Sequence, residues 1–197
     1  VEVKYADGSM ILGGEGATYK YTSRAQLPWV KFKTEVTSIV VGKDVTSLGQ
    51  FALADIYYAN TITFEEGSKL EDIGAGAFLS VYGITEIVLP DSLQTIVQNA
   101  FKMCKNLVDV YLPRNIKYIN KLSFVNNQNV VMEKIHFHVY EDTYAESYAK
   151  QYNVPYSLRE FVDTVIANGT AKVALVPEPK ASAVLMQNKN VKRVLNM

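Results

Sequence analysis

Phenylalanine recurs at a fixed interval through the middle of the chain. Phe78, Phe101 and Phe124 fall 23 residues apart, and the same phrase precedes each of them. Leu70-Glu-Asp-Ile73 leads into Ala77-Phe78, Leu93-Gln-Thr-Ile96 into Ala100-Phe101, and Ile116-Lys-Tyr-Ile119 into Ser123-Phe124. A unit this short cannot bury its apolar face alone and must stack on copies of itself. The period therefore predicts a solenoid whose coils touch only their neighbours. Such an architecture suits binding or scaffolding better than a catalytic pocket.

Other positions recur with the phenylalanines. Ile84, Ile87 and Leu89 follow Phe78 at the offsets at which Leu107, Val110 and Leu112 follow Phe101. Ile87-x-Leu89 and Val110-x-Leu112 alternate with the period of two expected of strands with one buried face. Pro90 and Pro113 stop these strands, because proline offers no donor to a ladder. The stretch through Ala100-Phe101 lacks alternation and predicts a helical turn that returns the chain. Upstream, Val45-Thr-Ser-Leu48 leads to Ala52-Leu53, and the 25 residues from Leu53 to Phe78 imply a two-residue insertion near Glu65-Glu66-Gly67-Ser68. Downstream, Ile135-x-Phe137-x-Val139 reads as a further strand, again displaced by two. Five stacked strands are expected, near 39–41, 62–64, 87–89, 110–112 and 135–139.

The phrase Leu-x-x-Ile-x-x-x-Ala-Phe, then Cys104-Lys-Asn-Leu107, then a strand ending in Leu-Pro, resembles the BspA-like leucine-rich repeat. The opening segment with Gly14-Glu-Gly16, Pro28-Trp29 and Thr37-Ser-Ile39-Val-Val41 is similar to that family's start. The run from Val139 through Thr143, Val154 and Tyr156 is similar to its closing helix and strand. The resemblance covers residues 8–156. It implies an α/β leucine-rich repeat solenoid with one parallel strand per repeat, short helical or irregular return segments, an N-terminal cap and a C-terminal helix cap. The chain lacks the asparagine that follows the strand in better-known leucine-rich repeats, so no inward asparagine ladder is expected.

Residues 1–34 read as the N-terminal cap, since the first repeat would otherwise expose its apolar face. Trp29, the single tryptophan, is expected to fill the core beneath the first strand rather than to stack on a ligand. Residues 35–156 form the solenoid with its closing helix at 143–152, where Ala145, Tyr148, Ala149 and Tyr152 share helical spacing. Residues 157–197 lie outside the resemblance. There Phe161-x-x-x-Val165-Ile166 and Lys172-Val-Ala-Leu-Val176 are strand-capable, and Pro177-Glu-Pro179 is a breaker. The segment from Ala181 to Met197 reads as helix or strand with a basic end. This extension is a further cap or the start of another domain, and the lack of a Ser/Gly-rich linker favours the cap.

Twenty basic and twenty acidic residues balance to zero, and no Lys/Arg cluster supplies the footprint of a nucleic-acid binder. No segment approaches the roughly 18 apolar residues of a membrane span. With no leader at Val1, a signal peptide is read as absent or removed. One cysteine excludes an internal disulfide. Cys104 is expected to be a small buried group, since no histidine stands near it in the pattern to serve as a base.

Function is expected in positions the repeat leaves free. One outward column reads Val40, Thr63, Val88, Tyr111, His136, and its neighbour reads Ser38, Thr61, Glu86, Asp109, Lys134. Thr63, Glu86, Val88, Asp109, Tyr111, Lys134 and His136 are the candidate binding residues of the strand face. Tyr57 and Tyr58, in the longer turn after Leu53, are a second candidate, because tyrosine combines area with a polar tip. His136 and His138 point to one side of a strand, but two ligands without a fixed third do not make a zinc site; no metal or cofactor is expected. Asn168-Gly-Thr170 matches a glycosylation acceptor, meaningful only on a eukaryotic secretory route. Phosphate-loop, G-x-S-x-G and H-E-x-x-H patterns do not occur, so no enzyme is expected.

The reading is a non-catalytic recognition module that binds a protein or glycan along the strand face. The resemblance implies an extracellular or cell-surface setting, with adhesion to a host or matrix protein. The rival is a structural spacer within a larger surface protein. Oligomeric state is left open.

Overall fold

The computed structural model describes residues 1–166 and 169–174, with side chains through residue 160. In chain order the first strands are β1 (Glu2–Ala6), β2 (Ser9–Gly13), β3 (Gly16–Ala17), β4 (Ser38–Val41), β5 (Val45–Leu48), β6 (Thr61–Phe64), β7 (Asp72–Ile73) and β8 (Glu86–Val88). There follow β9 (Thr95–Ile96), β10 (Asp109–Tyr111), β11 (Tyr118–Ile119), β12 (His136–Val139), the helix α1 (Tyr144–Gln151), and β13 (Tyr156–Leu158). All of these belong to one compact unit, Val1–Leu158. A second unit begins at Arg159 and contains the antiparallel hairpin of β14 (Phe161–Ile166) and β15 (Gly169–Ala174). The expected strands at Phe161 and Lys172 lie in that hairpin. Val176, Pro177-Glu-Pro179, the segment from Ala181 and Asn168 of the acceptor motif lie outside the described residues.

The first unit is a parallel-strand solenoid with little helix. Its main strand row comprises two ladders, β1-β2-β4-β6 and β8-β10-β12-β13, all parallel except for β1. Ile39, Ile87, Val110 and Phe137 point inward from these strands and are essentially solvent-free. A second, five-stranded sheet, β11-β9-β7-β5-β3, is built by the Leu-x-x-Ile phrase and its Val45–Leu48 counterpart, with β3 of the N-terminal segment at its edge. Its inward residues Leu48, Ile73, Ile96 and Ile119 pack on the same core.

The third side of each coil is a tight arc rather than the expected helical turn. Ala100 and Lys102 donate to carbonyls three residues back, whereas Asn99, Phe101 and Met103 donate to Leu122, Ser123 and Val125 of the next coil. Half of the arc's N–H groups close the turn and the other half link the coils. In the three arcs that link onward to a following arc in this way, the alternation places left-handed backbone at two positions. Phe51, Gly76 and Asn99 occupy the first, and Asp55, Ser80 and Met103 the second, with φ between 57° and 65°. A regular helix would turn every N–H along its own axis and leave the coils unlinked.

Inside the arc the phenylalanines form a continuous spine. Phe78 and Phe101 stack with ring centroids 4.9 Å apart, as do Phe101 and Phe124, and Phe137 closes the spine edge-on to Phe124 at 5.0 Å. Ser123 stands where Ala77 and Ala100 stand in the other coils. Its buried hydroxyl is satisfied by donating to the Val97 carbonyl at 3.0 Å.

Both ends of the spine are covered. At the start, β1 folds back antiparallel on β2 through Asp7-Gly8, both with positive φ, the geometry of a two-residue hairpin turn. Trp29 fills the core as expected; its Nε1–H donates to the Ala54 carbonyl at 3.2 Å. At the far end α1 lies within the expected 143–152, with Thr143 as N-cap accepting from the Glu146 N–H. The Glu146 carboxylate in turn accepts from the Asp142 N–H at 3.0 Å and pairs with Lys150 at 2.7 Å. Ala145, Tyr148 and Ala149 are its buried face.

Candidate functional site

Within each ladder the outward side chains pair as expected, Val40 with Thr63 and Val88 with Tyr111, except at the last coil. Asp109 lies between Glu86 and His136, and Tyr111 lies between Val88 and His138. Lys134, expected beside Asp109, sits exposed in the turn before β12, and His136 takes its place; His138 takes the place expected for His136. The cause is a longer insertion than the two residues inferred. Val110 to Phe137 spans 27 residues, four more than the repeat. The excess forms a loop closed by a Val125–Val131 bridge and by Asn126 Oδ1, which accepts from the Gln128 and Val130 N–H groups.

This register assembles a cluster. The His138 ring stacks on Tyr111 with centroids 4.1 Å apart and planes within 10°. Its Nε2 donates to Asp109 Oδ1 at 2.7 Å, a diagonal bond that holds the ring flat against the tyrosine. The His136 ring stands 5.1 Å from that of His138, and its Nε2 lies 2.7 Å from Ser157 Oγ on β13. Glu86, Val88, Asp109, Tyr111, His136 and His138 are all half-buried, neither in the core nor free in water. Thr63 lies on β6 opposite Val40, in the neighbouring ladder. The two imidazoles engage different partners through Nε2, Ser157 and Asp109, and among the described residues no group of three or more metal-ligating side chains forms.

Tyr57 and Tyr58 diverge. Tyr58 is 60% exposed. Tyr57 is half-buried and stacks on Tyr82 of the next coil at 5.3 Å, with the Lys33 ammonium 4.8 Å from its ring centroid. Lys105 caps Tyr82 in the same way at 5.0 Å. The 25-residue spacing of Tyr57 and Tyr82 matched the longer coil, and that was the signal for their pairing. Cys104 is fully buried and donates its thiol hydrogen to the Phe78 carbonyl at 3.1 Å; burial pushes the thiol's pKa far up. That is the opposite of an activated nucleophile.

Ser157 and the His138–Tyr111 stack were missed from sequence, the first because β13 lies past the last recognised repeat. No helix among the described residues is long and apolar enough to cross a membrane.

A family model for the BspA type leucine rich repeat region matches residues 31–163 in six copies. Among solved structures, the chain is similar to a leucine-rich repeat protein of T. pallidum, at 26% identity over 70% of this chain and 67% of that one, with a TM-score of 0.47. A leucine-rich repeat protein from Eubacterium ventriosum matches at 13% identity, covering 70% and 63%, with a TM-score of 0.36. A search of curated proteins gave no match.

Proposed function

The chain belongs to the BspA-type leucine-rich repeat family, and on that premise we propose a non-catalytic, adhesion-type recognition module of a surface or secreted protein. It binds a host or matrix protein, or a glycan, along the main strand face. The family is a repeat-based recognition family and is generally non-catalytic. One observation carries the choice of face: His138 is stacked on Tyr111 and tied down by Asp109. Two rings already fixed in one orientation lose little rotamer freedom when a partner lands on them, which is what preorganised contact surfaces require. Glu86 and Asp109 beside the rings supply acceptors for a cationic or hydroxyl-bearing partner group.

The test is binding of the intact chain to immobilised extracellular-matrix proteins and to a glycan array, compared with a Tyr111→Ala/His138→Ala variant. Anchors of this kind cost about 2 kcal/mol or more on truncation, roughly a thirtyfold loss of affinity, while the half-buried face should leave the melting temperature nearly unchanged. A partner whose affinity ignores both changes refutes the strand-face assignment. No partner on either panel supports the rival reading, a spacer without a ligand of its own.

A further inference from the structure

The outer surface of the arcs carries a groove that the repeat does not require. Successive coils place Gln50-Phe51, Ala75-Gly76 and Gln98-Asn99 at equivalent positions, as the shared left-handed backbone at 51, 76 and 99 shows. The middle coil is small where both neighbours are large. Gly76 has φ +60°, and a Cβ there would lie 2.7 Å from the ring of Phe51, so that ring lies directly over the glycine. The depression encloses about 550 Å³, within the roughly 300–1,000 Å³ of small-ligand sites. Two elements outside the repeat wall it: Arg24 of the N-terminal segment, and Asn127 of the insertion loop that shifts β12.

The chemistry of the lining is consistent. Gln50, Gln98, Asn99 and Asn127 line the groove, and none of their amides makes a side-chain hydrogen bond among the described residues. The Phe51 ring and the edge of the Tyr57–Tyr82 stack add flat apolar surface. Among the described residues no aspartate or glutamate lines the groove, whereas Arg24 and Lys102 do. Arg24 spends one N–H on Asp55 at 2.9 Å and keeps its other donors. Among the described residues Lys102 Nζ touches only the neutral Asn129 amide, at 2.9 Å, and no carboxylate pairs with it.

We propose that this groove is a second binding site, distinct from the strand face, and that it takes a short oligosaccharide bearing a carboxylate, of the uronic or sialic acid type. The C–H face of a pyranose covers the Phe51 ring, the amides pair with ring hydroxyls in both directions, and Lys102 meets the carboxylate. A neutral sugar would leave that cation unmatched.

The decisive variant is Ala75→Gln. It places in the middle coil the residue that both neighbouring coils carry, so it fits the arc while filling the groove. Calorimetry and saturation-transfer NMR would use the intact chain with sialyllactose and trigalacturonate as probes and lactose as the neutral control. Saturable binding of at least one acidic sugar is expected, with Ala75→Gln and Lys102→Ala each weakening it about tenfold or more, the cost of one charged hydrogen bond. The Tyr111→Ala/His138→Ala variant should bind the sugar as the parent does. The groove assignment is overturned by a lack of saturable binding, by lactose binding equally well, or by full binding in Ala75→Gln. Loss of sugar binding in the strand-face variant alone also overturns it, while leaving the proposed function standing.

Discussion

Phe101 is the best place to measure what holds the coils together, because it is the only ring of the spine stacked face-on from both sides. Phe101→Ala removes a fully buried side chain whose ring lies 4.9 Å from those of Phe78 and Phe124. Truncating a buried phenylalanine costs about 3–5 kcal/mol, and each aromatic pair is worth about 0.5–1.5 kcal/mol beyond its area. The lower figure applies when the surroundings collapse into the void. Here they are pinned, since the Phe78 N–H donates to Ala100 at 2.8 Å and the Phe101 N–H to Ser123 at 2.9 Å, fixing the coils on both sides. The expected loss is therefore about 5 kcal/mol, a third or more of the stability of an ordinary domain. Phe101→Leu should cost less than about 2 kcal/mol, because Leu53 already fills the equivalent place in an earlier coil. Urea unfolding followed by far-ultraviolet circular dichroism and by Trp29 fluorescence would measure both variants. A loss below about 2 kcal/mol for Phe101→Ala, with the denaturant slope unchanged, would refute the claim that the stack holds the solenoid together.

Two further outcomes follow from other parts of the fold. Cys104 should resist thiol reagents in native buffer and react at once in guanidinium, since its thiol is buried, hydrogen-bonded and raised in pKa; fast native labelling would contradict the packing at that turn. Glu146 is held below its ordinary value of 4.5 by the Lys150 ammonium and the Asp142 N–H. Its contribution is thus complete above that value and lost as pH falls through the lower folded one. Glu146→Gln should melt lower than the parent at neutral pH, and the gap should close on acidification; a pH-independent gap would contradict the ion pair.

The phenylalanine interval and the alternation beside it were enough to place the spine and the main strands β4, β6, β8 and β10, and the helical spacing of Ala145, Tyr148, Ala149 and Tyr152 placed the closing helix. Two features escaped them for different reasons. Asp72–Ile73, Thr95–Ile96 and Tyr118–Ile119 are two residues long, too short for a period of two to register, so the second sheet was hidden inside the phrase that announced the repeat. The last register failed because alternation is blind to a two-residue slip. A slip of one would have buried His136 and exposed Phe137, whereas a slip of two keeps every side chain on its proper face and changes only its neighbours. Ile135 is as buried as Phe137, so hydrophobicity could not choose between them. The loop around Asn126 decided it, and its length carries no periodic mark. The columns of the candidate site were therefore legible as a face but not as a set of contacts.

The equal spacing of the spine also bears on how such a chain changes length over time. Because Leu93 and Ile116 occupy the same place in successive coils, excising or duplicating the stretch between them rejoins the chain in phase. The removal of residues 93–115 would bring Phe124 to the place Phe101 holds against Phe78. Recombination within the coding sequence can thus add or delete whole coils without touching either cap. The one thing it would not conserve is the order of unlike coils, on which every surface built between neighbours depends.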